Sequence, residues 1–162
     1  MTDGVRQLAG ASRLAMMAAA LAFSAFQLAI ASFSPLSSQV TRSLHVAFLL
    51  LLTYLVYTPA RRSAQHTIPW YDWVLALGAF ALGFYHWAFE ADLIQRTGLP
   101  TATDLIVGTM VVVLLFEAAR RVVGIALPIV AGVFLAYGLF GQYLPGALAH
   151  RPFGYDQVVG QL

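Results

Sequence analysis

FEAARRVVGIALPIVAGVFLAYGLFGQYLPG, residues 116–146, joins a charged cluster of Glu117, Arg120 and Arg121 directly to a long apolar run. That run carries Pro128 and the glycines Gly124, Gly132, Gly138 and Gly141. In water this would be a poor helix, since each glycine costs about 1 kcal/mol relative to alanine and an interior proline about 3 kcal/mol. In a bilayer the same residues read differently. Small side chains let helix backbones approach closely, and neighbouring helices re-satisfy the groups that a proline frees. The stretch is therefore expected to be a packed transmembrane segment with a specific partner.

Composition agrees. Of 162 residues, 60% are hydrophobic and 10% charged, against about 25% charged in an ordinary soluble domain. Mean hydropathy is +0.76. A soluble fold of this size has too little interior to hide so much apolar surface, so the expected class is an all-α integral membrane protein. All nine basic residues are arginines, and the net charge of +2 is too small for the clustered basic face that nucleic-acid binding needs. The chain has no cysteine, which excludes a disulfide framework, a thiolate zinc cluster and a thiol nucleophile.

In chain order, residues 14–34 give the first span, long enough for the roughly 20 residues that cross a hydrocarbon core. Its apolar core exceeds the roughly 7–15 residues of a cleaved leader. Ser34, Pro35, Ser37 and Ser38 make a turn, and residues 41–58 form the second span. Arg42 snorkels at one end, while Tyr54, Tyr57 and Pro59 mark the other interface. Arg61 and Arg62 lie in the next loop. Pro69, Trp70, Tyr71, Asp72 and Trp73 form an interfacial anchor opening the third span, residues 70–89. Glu90, Asp92 and Arg96 follow in a loop closed by Gly98 and Pro100. Thr103 or Asp104 is expected to cap the fourth span, residues 103–121. As one helix, Thr103 to Tyr143 would be about 60 Å long, too long for one crossing. The chain therefore turns at the charged cluster, with Gly124 as the first suitable residue, and the fifth span covers residues 125–144.

The expected whole is a single membrane domain, residues 1–162, built as a bundle of about five transmembrane helices. With the amino terminus in the cytoplasm, Arg6, Arg13, Arg61, Arg62, Arg120 and Arg121 fall inside and Arg42, Arg96 and Arg151 outside, the asymmetry expected of a positive-inside protein. The carboxyl terminus is then periplasmic, and residues 145–162 form a tail or the start of a linker.

Chemistry is sparse. Ionisable groups at mid-depth mark pumps and membrane enzymes, whereas here they sit at span ends. His45 and His86 lie about one turn below the same outer interface, an arrangement open to a bis-histidine haem or to two interfacial histidines bonded to neighbours. Glu117 and Arg121 stand four residues apart in the order that favours an ion pair; with Arg120 they either fix topology or grip a partner. Gly124, Pro128, Gly132 and Ala136 recur every fourth residue and would line one shallow groove, packed within the chain or against another subunit. Gln27, within span one, is expected to bond another helix. No phosphate-cradling loop, zinc-protease pair or nucleophile elbow occurs, so no catalytic residue, metal or cofactor is expected.

Three segments carry a family resemblance: TRSLHVAFLLLLTYLVYTPARR (41–62), IPWYDWVLALGAF (68–80) and LPTATDLIVGTMVVVLLFEAARRVVGIALPIVAGVFLAYGLFGQYLPGALAHRPF (99–153). In order and spacing they resemble the small-subunit region of fused permeases of the tripartite ATP-independent periplasmic (TRAP) transporters, nearest to the TAXI type. The resemblance runs from about Phe26 to the end and is most specific between Glu117 and Arg151. It implies a bacterial inner-membrane secondary transporter that imports an organic solute delivered by a periplasmic binding protein and is driven by a sodium or proton gradient. It also implies that substrate and cation sites belong to a large permease subunit or domain. This chain would then be the scaffold, with Glu117, Arg120, Arg121, Gly124, Pro128, Gly132 and Ala136 as interface candidates. Glu90 and Asp92 would help dock the binding protein. In the fused relatives the sequence continues into the large permease region after the HRPF-like segment, whereas this chain stops at Leu162. The small subunit of tripartite tricarboxylate transporters shares the helical plan and is the alternative assignment, with a haem-binding electron carrier as the enzyme-class rival.

Overall fold

The Ser37 side chain accepts a hydrogen bond from the Val40 amide at 3.2 Å, satisfying one of the donors that a helix start leaves open. From that cap runs α2, Ser38–Val56. It is preceded by α1 (Gly10–Phe33) and followed by α3 (Trp70–Gly83), the one-turn α4 (Tyr85–Ala88), α5 (Glu90–Gln95), α6 (Ala102–Val122), α7 (Ala126–Phe140) and α8 (Tyr155–Gly160). A 3₁₀ turn, Gly141–Tyr143, extends α7, and a second covers Gly146–Leu148. The computed structural model describes residues 4–33, 36–59, 66–96, 98–151 and 153–160. Ser34 and Pro35 of the expected turn, and Arg61 and Arg62 of the expected inner loop, lie outside the described residues.

The protein is all-helical among the described residues, and four helical segments are long and apolar enough to cross a membrane: Gly10–Phe33, Ser38–Val56, Ala102–Val122 and Ala126–Tyr143. These match four of the five expected spans to within a few residues. The expected span over 70–89 takes another form. Its first part is α3, of 14 residues, and the helix is interrupted at Phe84 before α4 resumes. The Ser43 hydroxyl donates to the Gly83 carbonyl at 2.9 Å, beside the interruption. The Phe84 amide turns back to Ala81 and Leu82. The start of α6 also corrects an expectation: its cap is Thr101, and Asp104 returns a bond to the Thr101 amide as the third helical residue of a capping box.

The chain divides into two compact units, Met1–Glu90 and Ala91–Leu162. The core of the first is the seam between α2 and α3. Asp72, Ala76, Ala79 and Gly83 are buried on α3 at spacings of four, three and four, facing buried Val40, Leu44, Ala47, Leu51, Tyr54 and Leu55 of α2. Lipid is as apolar as leucine, so helices in a bilayer associate through close packing and polar contacts more than through the hydrophobic effect. Small residues on α3 meet that demand. An aromatic ladder adds α1: Phe23 stacks on Phe48 at 5.2 Å, and Phe48 meets Phe80 edge-on at 4.9 Å. Helix α1 has no buried residue of its own, leaving most of its apolar surface for lipid or another protein.

In the second unit α6 and α7 form a hairpin. Gly124, at φ +103°, makes the turn in the left-handed region where residues with a β-carbon are strained. Pro128 lies in the first turn of α7, where its missing N–H would have had no intrahelical acceptor. The two strongest breakers in the stretch thus sit at a helix junction, and the cost expected of an interior proline does not arise.

Gly83 and Gly78 provide a paired test on α3. A β-carbon at Gly83 would overlap the Ala47 methyl and approach the Ser43 carbonyl at 3.3 Å, whereas one at Gly78 meets nothing within 4 Å. Gly83→Ala should destabilise the detergent-solubilised protein by about 1–3 kcal/mol through overpacking, and Gly78→Ala should be neutral or stabilise it by up to about 1 kcal/mol. Thermal unfolding of the two variants checks the contrast, and equal melting temperatures would contradict the seam.

Candidate functional site

The most heavily bonded polar centre of the first unit is one that sequence analysis had assigned only to topology and to an interfacial anchor. A helix ends with four carbonyls lacking intrahelical donors, and at the end of α2 one residue supplies several. Arg6 Nη1 donates to the Tyr54 and Leu55 carbonyls at 2.6 and 3.0 Å, and its backbone amide donates to Val56 O at 2.9 Å. Its Nη2 donates to Asp72 Oδ2 in the first turn of α3. Both side chains of this ion pair are fully buried. The arrangement places a cation against the negative end of one helix and an anion against the positive end of the next.

The segment before α1 is shaped to deliver that arginine. The Gly4 carbonyl accepts from the Thr58 amide at 2.9 Å and from its hydroxyl at 3.2 Å, Val5 bridges to Tyr57, and the Ala9 amide donates to His66 O at 3.2 Å. Residues 4–9 thus strap the end of α2 to the approach of α3. A signal was present in the sequence: Asp72 is an acid inside the first turn of an apolar span, and Arg6 belongs to the same predicted side.

The predicted charged cluster lies at the end of α6. Arg120 holds Glu117 bidentately, Nε to Oε2 and Nη2 to Oε1, both at 2.7 Å, and Arg121 Nε donates to Oε1 at 2.8 Å. The Arg121 side chain is 3% exposed, against 29% for Glu117 and 37% for Arg120. One carboxylate therefore serves two guanidinium groups, leaving one net positive charge at a helix carboxyl end, where the dipole favours it. At the other end of α6, Arg96 pairs with Asp104 at 3.2 Å and donates to the Thr101 hydroxyl at 3.1 Å.

The groove expected along span five is only partly continuous. Gly124 lies in the turn before α7 and not on its face. Pro128 is buried, a β-carbon on Gly132 would meet Phe116 of α6 at 3.6 Å, and Ala136 is exposed. The row thus runs from packing within the hairpin to an open position. Glu90 opens α5, and Asp92, on the same short helix, is exposed. Gln27 bonds another helix as expected: its amide lies 2.6 Å from His45 Nδ1. His86 Nδ1 lies 3.5 Å from the Ser43 hydroxyl. Each histidine thus has a polar neighbour within the first unit.

Comparison of the chain with protein-family models, curated proteins and solved structures finds no match.

The buried pair gives a measurable expectation. Removing one partner of a buried ion pair strands the other charge and costs about 3–5 kcal/mol. Asp72→Leu and Arg6→Met should each lower stability by roughly that amount in detergent. The double change Arg6→Met with Asp72→Leu should recover part of the loss, since no lone charge remains while the Tyr54 and Leu55 carbonyls still lack their donor. Chemical or thermal unfolding of the four proteins closes the cycle, and strictly additive losses would show the two residues to be uncoupled.

Proposed function

We propose that this chain is the small membrane subunit, or small-subunit region, of a TRAP-type secondary transporter of the TAXI branch. In this reading it braces a large permease that imports an organic solute, delivered by a periplasmic binding protein, across the bacterial inner membrane at the expense of a cation gradient. The observation that carries the reading is the ordered resemblance of residues 41–62, 68–80 and 99–153. The way the chain uses its charge supports a scaffold role. Arg6 with Asp72, Arg96 with Asp104, and Arg120 and Arg121 with Glu117 all join or finish helix ends.

Five crossings, with the amino terminus cytoplasmic and the carboxyl terminus periplasmic, fit this role. Across the offset at Phe84, residues 70–88 rise about 28 Å at 1.5 Å per residue, close to the roughly 30 Å hydrocarbon thickness. The paired carboxylate and arginines of the α6–α7 hairpin would face the cytoplasm. The open end of the α7 row, at Ala136, would meet the large permease. Glu90 and Asp92 would lie on the periplasmic side, where the binding protein docks.

Ala136 separates assembly from folding better than Glu117 or Gly132, which have partners inside the hairpin. Ala136→Leu should reduce recovery of the co-expressed large permease by about tenfold, equivalent to about 1.4 kcal/mol, and leave the melting of the isolated chain unchanged. Unchanged recovery would remove this face from the interface. Reversing Glu90 and Asp92 to lysine should slow uptake at low ionic strength, with the defect shrinking as salt screens the interaction. Uptake indifferent to the reversal at low salt would exclude these residues from docking.

A further inference from the structure

His150 lies in the segment after α7, and its ring is held from both sides. Nδ1 is 2.7 Å from the Arg151 carbonyl, and Nε2 is 2.9 Å from the Tyr137 carbonyl in the last turn of α7. A neutral imidazole has one donor nitrogen and one acceptor nitrogen, whereas the imidazolium has two donors. Two carbonyl oxygens are therefore both satisfied only by the charged form. In the neutral form, one ring lone pair must face a carbonyl lone pair.

The surroundings are built around this ring. A β-carbon on Gly141 would overlap Nε2, so glycine makes room for it. The Tyr137 ring stands edge-on to the imidazole at 5.0 Å, and its hydroxyl donates to Leu148 O at 2.8 Å, tying the same segment to α7 a second time. On the far side Phe153 lies 5.3 Å away, with the Arg151 guanidinium 5.9 Å above its ring. Among the described residues the titratable and charged groups in contact with His150 are Tyr137 from α7 and Arg151 from its own segment, and Asp156 of α8, whose carboxylate lies beside Gly154, is the acid that follows this segment. The Tyr137 carbonyl also belongs to the negative end of α7, which favours a cation.

We propose that His150 is a proton-operated latch: as the imidazolium it clasps residues 144–151 to the carboxyl end of α7, and on deprotonation it releases them. The Arg151 carbonyl, and after it the Tyr137 carbonyl, raise the affinity of the ring for its proton above the ordinary value. The sign follows. A group whose affinity for protons is higher in the clasped state favours that state fully below its released-state value, about 6.5. That contribution is lost as pH rises from there through the higher clasped-state value. The latch therefore closes in acid and opens toward alkaline pH, whatever transport system the chain serves.

The absence of native cysteine allows a direct test. A nitroxide attached to Ala149→Cys in the full chain, in lipid nanodiscs, should give a spectrum dominated by an immobile component at pH 5.5. That component should be progressively lost as pH is raised from about 6.5. In the His150→Gln background the label should be mobile throughout with no transition, because glutamine does not titrate and its two N–H groups share one nitrogen, which does not span the two carbonyls as the separate ring nitrogens do. Gly141→Ala, which keeps the histidine but fills its seat, should behave in the same way, with helical circular dichroism showing that both proteins remain folded. A transition that persists in His150→Gln, or a parent protein whose label does not respond to pH, would overturn the latch.

Discussion

A guanidinium buried between two helix ends sets the terms for the first half of this molecule. Arg6 brings a charge into a setting where an unpaired ion would be prohibitive, and the cost is offset by two means at once. The carbonyls at the end of α2 need donors, and the Asp72 carboxylate needs a cation. Meeting both needs fixes three things together: where residues 4–9 cross, where α2 stops and where α3 begins. The close seam between α2 and α3 depends on that registration, because Gly83 reaches Ala47 only if the two helices enter from a defined relative position.

The second half uses charge at helix ends as well, but differently. Asp104 closes the capping box of α6 and receives Arg96, while the other end of the same helix holds Glu117 between Arg120 and Arg121. Here Arg96, Glu117 and Arg120 keep part of their side chains exposed while Arg121 is buried, so the exposed pair of Arg120 with Glu117 is individually worth little. What they contribute is definition of helix limits: α6 is bounded by one acid with its arginine and by two arginines with their acid. The turn at Gly124 then follows immediately, and Pro128 enters α7 where its ring costs nothing.

Much of this was legible in the sequence, because bilayer-length apolar runs are written in composition alone. Four spans, the turn after the charged cluster, the Glu117–Arg121 pairing and the inter-helix role of Gln27 all follow from spacing and polarity. What escaped was long-range. Nothing local couples Arg6 to Asp72 across 66 positions, and Asp72 among tryptophans reads equally well as an interfacial residue. The interruption at Phe84 lies where a hydroxyl from another helix, Ser43, meets the Gly83 carbonyl, a contact that no inspection of residues 70–89 alone would supply. The regular small-residue spacing of Gly124, Pro128, Gly132 and Ala136 drew attention to α7, while Gly83, in a less regular series with Ala76 and Ala79, makes a close helix–helix approach that its spacing did not announce.

The contrast between those two small-residue rows carries a physical argument about how such a chain assembles. Helices in lipid gain little from burying leucine against leucine, so a row of small residues is valuable only where another backbone comes close enough to use it. On α3 that backbone is α2, and the row is consumed within the chain. On α7 the partner changes along the helix, from burial of Pro128 and contact between Gly132 and Phe116 to exposure at Ala136. An exposed small residue in line with a packed one leaves a flat strip on α7 on which a further helix backbone, from this chain or another, gains close packing.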